Sequence, residues 1–362
     1  MGARFPRGAA LLAAATLLAL LAVGTARAQE MDGDCIYTLL DGEGRALTQV
    51  GGRVYEGDEY IAGDDRCWRV VAVDDAACTA VAEPMEDGGD DAAALALFRA
   101  EAESGRKLVA MYSTHSDESY VPDDGESSKW ENAGIYDVGE RLKDALEARG
   151  IETIYSKETF LPHDAAAYSR SRATAEELLK KGPDALLDIH RDAVPAAQYE
   201  TEVDGEDISK VRLFVGRSNP NASANRAFAR QIKKAADQQY PGLVKDIFIG
   251  KGNYNQELYP HSLLLEFGSH ETDKDKAMAS TRYMAAVLDS VLYGGSAKAG
   301  DVGAGSAAKG IGWVIGLAIV AALVYALLST GSLGGAWRKL RRGASELTGG
   351  LVGDEPGNKD DK

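Results

Sequence analysis

Between residues 107 and 293 the chain alternates short apolar runs with amphipathic stretches, and this alternation restricts the possible folds more than any other feature. LVAMYS, ETIYS, ALLDIH, VRLFVG, DIFIG and SLLLEFG are apolar enough to be strands covered on both sides. Helical spacing is seen at about 135–149, 173–180, 224–239 and 273–292, with Gly150 placed to cap the first helix. The expected fold class is α/β, a mostly parallel sheet with helices on both faces.

The flanks read differently. Residues 29–85 hold short Val, Tyr and Ile runs cut by Asp-Gly and Gly-Gly turns, the pattern of a small N-terminal β module. Its bland role is that of a spacer or accessory. Cys35, Cys67 and Cys78 all lie in it. One pair can be oxidised outside the cytoplasm, and the spacing does not say which. An acidic, Gly-containing break and a short helix fill 86–104, before the main domain at 105–293. Residues 294–310 read as a Gly/Ala/Ser linker.

Two hydrophobic segments set the expected topology. Residues 1–28 combine Arg4 and Arg7, an apolar run and Ala26-Arg27-Ala28, which predicts a signal peptide cleaved after Ala28 rather than an uncleaved anchor. Residues 311–329 are uncharged, and as a helix they would span roughly 28 Å, enough for a transmembrane helix and more than a buried soluble one needs. The Arg/Lys cluster of 338–342 follows it, so the positive-inside rule puts the 330–362 tail in the cytoplasm. The expectation is a single-pass type I protein of the cell membrane with its main domain outside the cytoplasm. The net charge of -16 excludes the basic footprint of a nucleic-acid binder.

Chemistry concentrates at predicted strand ends. His115 follows LVAMYS, and His190 closes ALLDIH. Ligands of open α/β sheets bind at the carboxyl ends of strands. Two histidines and a carboxylate there suit catalytic zinc, which takes three protein ligands and keeps one position open. Glu118, three residues after His115, can reach the same metal from one tight turn. Glu131, which opens the next helical stretch, is the alternative ligand, or simply an acid at a helix N-terminus. Glu266 sits inside SLLLEFG, where an unpaired carboxylate is costly. It is either a general base on a metal-bound water or half of a structural ion pair. His163 reads as a loop residue, His261 as a surface or supporting residue, and His270 as close to the site at most. Neither a nucleophile elbow nor a phosphate-binding glycine loop is present.

The runs YSTHSDESY at 112–120, YSRSRAT at 168–174, DIHRDA at 188–193, YNQ at 254–256 and LLEFGS at 264–269 come in the order of one known family. Over about 105–293 the chain resembles the stage II sporulation protein P family, which is similar to the type 3 zinc N-acetylmuramoyl-L-alanine amidases. The resemblance implies Zn2+ and peptidoglycan hydrolysis for septal wall thinning and engulfment of the forespore. The bond cut would join the muramic acid lactyl group to the L-alanine of the stem peptide, with endopeptidase activity in addition. The implied partners are a lytic transglycosylase and other sporulation membrane proteins.

Carried over by position, His115 and His190 match metal ligands, Glu118 matches the acidic residue after the first histidine, and Glu266 matches the catalytic glutamate. Arg191 and Asp192 match positions that orient His190 or hold substrate, and Arg191 is assigned to the catalytic set. The type 3 amidases place their carboxylate ligand where Glu131 stands; the assignment here is Glu118. The family also leads one to expect an N-terminal membrane anchor, not a C-terminal one. Two rival readings are a zinc carboxypeptidase-like wall peptidase, which would release single terminal amino acids, and a non-catalytic, membrane-tethered wall-binding scaffold.

Overall fold

The computed structural model describes residues 35–86 and 106–295. The predicted signal peptide, most of the 86–104 connection, the 311–329 span and the tail lie outside the described residues. Among the described residues no helix is long and apolar enough to cross a membrane.

The N-terminal module forms β1 (Tyr37–Leu40), β2 (Ala46–Val50), β3 (Glu59–Ile61), β4 (Cys67–Asp74) and β5 (Thr79–Met85). The main domain supplies β6 (Leu108–Tyr112), β7 (Glu152–Tyr155), β8 (Ala185–Asp192), β11 (Val211–Gly216), β12 (Val244–Gly250) and β13 (Ser262–Ser269) to the same sheet, whose order is β2-β1-β5-β4-β3-β12-β11-β13-β8-β6-β7. A separate hairpin, β9 (Glu200–Val203) and β10 (Glu206–Ser209), turns at Asp204-Gly205, where both residues take positive φ. From β12 to β7 each pairing is parallel except β11 with β13, as strand–helix alternation predicts.

The module is therefore not separate from the main sheet. Its β3 pairs antiparallel with β12, Ile247 against Ile61 and Phe248 against Tyr60. Its Leu39, Tyr60, Trp68 and Val70 form one apolar cluster with Phe214, Phe248 and Leu264 of the main domain. Cys35 and Cys78 are joined by a disulfide, and Cys67 is a buried free thiol. The bridge closes a loop with a sequence separation of 43. Cys78→Ser is expected to lower stability by about 2–4 kcal/mol, the range for a loop of this size. A urea midpoint unchanged from wild type would show that the sheet pairing holds the module without the bridge.

Helices cover both faces. α2 (Gly134–Glu147), α4 (Ala222–Gln239) and α5 (Lys274–Tyr293) join one cluster with Val109, Met111, Leu187, Ile189, Leu263 and Leu265. α3 (Ala167–Leu179) packs on the other face, against Ala110, Tyr112 and Leu186. Successive strand residues point to opposite faces, so His190 and Glu266 share the face of Leu186 and Leu264. A one-turn helix, α1 (Val121–Asp124), follows the His115 loop. α2 ends two residues before the predicted boundary, and Gly150 takes φ 76 in the turn into β7. α3 begins earlier than predicted because Tyr168 and Ser171 are already buried.

Candidate metal centre

Parallel pairing of β8 with β13 sets His190 directly beside Glu266. The loop after β6 brings His115 and Glu118 to the same end of the sheet, and all four side chains are buried. Glu118 is the hub. Its Oε1 lies 3.4 Å from His115 Nδ1 and 3.3 Å from His190 Nδ1, and its Oε2 accepts the Arg191 backbone N–H at 2.8 Å. Burial raises the affinity of this carboxyl for a proton. The charges of His190 and Arg191 and the imidazole hydrogen bonds outweigh it, so Glu118 titrates well below the usual carboxylate range. For His190, burial favours the neutral ring, but Asp188 and Glu118 overcome this and hold its pKa well above the ordinary value.

Each of two imidazoles has a carboxylate behind it. His190 Nε2 lies 2.9 Å from Asp188 Oδ1, and Asp188 is itself fixed by the Thr114 backbone N–H at 2.8 Å and hydroxyl at 2.7 Å. His163 Nδ1 lies 2.9 Å from Asp117 Oδ1, while its buried Nε2 has no hydrogen-bond partner. Metal-binding histidines are typically held this way, one nitrogen on a carboxylate and the other on the ion. His115, Glu118 and His163 offer ligand atoms within 4.8 Å of one another. The His115 ring stacks on His163 at 4.0 Å between centroids and meets His190 edge-on at 5.1 Å. The donor set, imidazole nitrogens around a carboxylate, fits zinc.

His163 thus joins the centre although its sequence context reads as a plain loop. Glu131 is exposed and lies outside this group of donors. Arg191 spends its guanidinium on carbonyl oxygens, Ser119 at 3.3 Å and Ser127 at 2.8 Å, so it ties the 115–128 loop to β8. His261 is buried at the far end of β13, its Nδ1 3.1 Å from the Asp184 carbonyl. His270 is half-buried, and burial lowers its pKa. The YSRSRAT and YNQ runs buttress the centre from behind: Asn255 donates to the Tyr168 carbonyl at 3.0 Å and Ser171 Oγ at 3.1 Å. Tyr168 packs against both His115 and His190.

A cavity of about 30 Å³ is lined by His115, Glu118, Arg191 and Glu266 and by Val50, Gly51, Gly52 and Arg53 of the N-terminal module. That volume admits a water or two beside Glu266. Glu266 Oε2 accepts the Tyr199 hydroxyl at 3.0 Å. Water, a carboxylate beside it and a set of metal donors are what metal-assisted hydrolysis requires.

The sequence pattern of the family described as Stage II sporulation protein P (SpoIIP) matches residues 71–289. The Stage II sporulation protein P of Bacillus subtilis (strain 168) is 27% identical over 207 residues, 52% of this chain and 52% of that protein. The chain therefore spans about half the length of this curated relative. The crystal structure of N-acetylmuramoyl-L-alanine amidase from Clostridium difficile 630 aligns with 52% of this chain and 98% of its own, at 13% identity and a TM-score of 0.32, too low to inform the fold. The family pattern covers β8, β13 and the whole metal loop between β6 and α2, and on that match the chain belongs to the stage II sporulation protein P family.

Proposed function

We propose that this chain is a zinc-dependent peptidoglycan hydrolase, an N-acetylmuramoyl-L-alanine amidase that also opens peptide cross-links, working at the septal wall in sporulation. The observation that supports it most is Glu118 bridging two imidazoles, with Glu266 across a water-sized cavity from it. His115, Glu118 and His190 would hold the metal, His190 through its 3.3 Å approach to Glu118; His163, which with His115 and Glu118 forms the group of donors within 4.8 Å of one another that His190 does not join, would replace or assist it. Zinc held there would supply Lewis-acid chemistry, easing deprotonation of a nearby water and polarising the scissile carbonyl. Glu266 accepts a proton from the attacking water and returns it to the leaving L-alanine amine. Arg191 keeps the Glu118 loop in register with His190. The hydrophobic segments at 1–28 and 311–329 support export and a single C-terminal anchor, with the catalytic domain outside the cytoplasm. A glycan-cleaving lytic transglycosylase is the partner that fits, since it would clear the strands this enzyme strips.

Digestion of purified sacculi tests this reading. The expected products are stem peptides with a free N-terminal L-alanine, absent after chelation, restored by added zinc and absent with His190→Ala. Release of single terminal amino acids would favour a carboxypeptidase. Wall binding without zinc or products would favour a scaffold.

A further inference from the structure

Glu266 stands between two strands that hold it differently. On β8 its neighbour is His190; on β11 it is Arg212, which is fully buried. Arg212 Nε and Nη2 reach the two Asp246 oxygens at 2.7 and 2.9 Å, and Nη1 reaches Asp192 Oδ2 at 2.9 Å. Nη2 also donates to Thr48 Oγ1 at 3.0 Å and the Gln49 carbonyl at 2.9 Å, both on β2 of the N-terminal module. Asp192 Oδ1 accepts the backbone N–H of Gly51 at 3.2 Å and of Ala193 at 2.7 Å. The Tyr199 hydroxyl lies 2.8 Å from Asp192 Oδ2 and 3.0 Å from Glu266 Oε2. Polar contacts thus run unbroken from β2 through Arg212, Asp192 and Tyr199 to a carboxylate that lines the cavity.

We infer that Tyr199 is a positioning residue for Glu266, and that the N-terminal module is the fixed end of the chain that holds it in place. This rests on Glu266 as the base of the proposed reaction. A phenol has one proton to donate. Two carboxylate oxygens are in reach of that proton, Asp192 Oδ2 at 2.8 Å and Glu266 Oε2 at 3.0 Å; Asp192 is also served by Gly51, Ala193 and Arg212 and does not depend on the phenol, whose oxygen is held between the two carboxylates. The ring has no room to swing, for Tyr199 is fully buried and Lys245 Nζ sits 4.9 Å from its centroid. Gly51 leaves no slack at the other end. A Cβ there would meet Asp192 Oδ1 at 2.6 Å and the Ala193 backbone nitrogen at 2.8 Å. The module is on this view a working part of the catalytic centre rather than an accessory.

Tyr199→Phe and Gly51→Ala test this in the full chain, with kinetics on wall fragments, zinc content and crystal structures. Each variant is expected to lose about 10–100-fold in kcat, the scale of a misplacement near 1 Å. KM should stay within about twofold and zinc content at the wild-type level. In the crystals the Glu266 carboxylate should leave its place while His115, Glu118 and His190 keep theirs. Wild-type kcat in both variants, zinc lost together with activity, or a Glu266 carboxylate unmoved in the Tyr199→Phe crystals would each overturn the inference. The crystals decide it even if the wild-type chain digests nothing, an outcome that sinks the proposed function instead.

Discussion

Glu118→Gln is expected to remove zinc and hydrolysis together, whereas Glu131→Gln leaves both at wild-type levels. The two glutamates are rivals for one role in sequence, and their surroundings separate them. Glu118 is buried, with one oxygen within 3.4 Å of two imidazole nitrogens and the other on a backbone N–H. Glu131 is exposed just before α2. The amide of glutamine keeps the shape of Glu118 but removes the charge a divalent ion needs, and turns an N–H2 towards groups that already donate. Losing a hydrogen-bond partner behind a metal ligand costs about 10–100-fold in affinity, so losing the ligand itself should exceed that. Zinc content after dialysis and sacculus digestion are the measurements. Glu266→Gln gives the complementary result: zinc retained, hydrolysis down by about 10²–10⁴-fold, the usual worth of a general base. Zinc kept by Glu118→Gln and lost by Glu131→Gln would reverse the assignment.

The parts of this centre that could be read from sequence share one property: they are polar residues breaking an apolar strand. His190 in ALLDIH and Glu266 in SLLLEFG stand out because burying them without partners is costly. The alternation of strands and helices carried the sheet in the same way, since each apolar run had to be covered on both faces. Arg212 in VRLFVG bears the same mark, a charge inside a strand buried at every position. Other residues left no local trace. His163 lies in an irregular loop whose place depends on Asp117, 46 residues away. Tyr199 follows a short turn and gains its meaning from Asp192 and Glu266, which sequence does not place beside it. The β9–β10 hairpin buries little beyond Val203 and Ile208, too few apolar positions to register as a strand pattern. The N-terminal module looked self-contained because its turns are local, while the β3–β12 pairing that joins it to the sheet is long-range.

Arg212→Met is expected to be the most destabilising substitution outside the metal centre, by about 3–5 kcal/mol, since it removes one partner from a buried charge network. Asp192 and Asp246 would remain as buried carboxylates, each losing a guanidinium contact under 3.0 Å. Lys245, 3.3 Å from Asp246, compensates in part, and the carbonyl of Gln49 and hydroxyl of Thr48 lose their donor as well. Asp246 shows the balance directly. Burial pushes its pKa up, but Arg212 and Lys245 overcome this and bring it down to about 2. A carboxylate whose pKa is lower in the folded than in the unfolded chain contributes stability above its unfolded value, near 4, and that contribution is lost as pH falls towards 2. Urea unfolding from pH 7 down to pH 2 should therefore show wild-type stability falling in that window. In Arg212→Met the curve should start several kcal/mol lower and fall less there, because the guanidinium that depressed the pKa is gone. The double substitution Arg212→Met with Asp246→Asn should recover part of the loss by removing one stranded charge. If Arg212→Met unfolds at the wild-type urea midpoint at pH 7, the network contributes no net stability. The connection from the N-terminal module to Glu266 would then be a matter of placement alone.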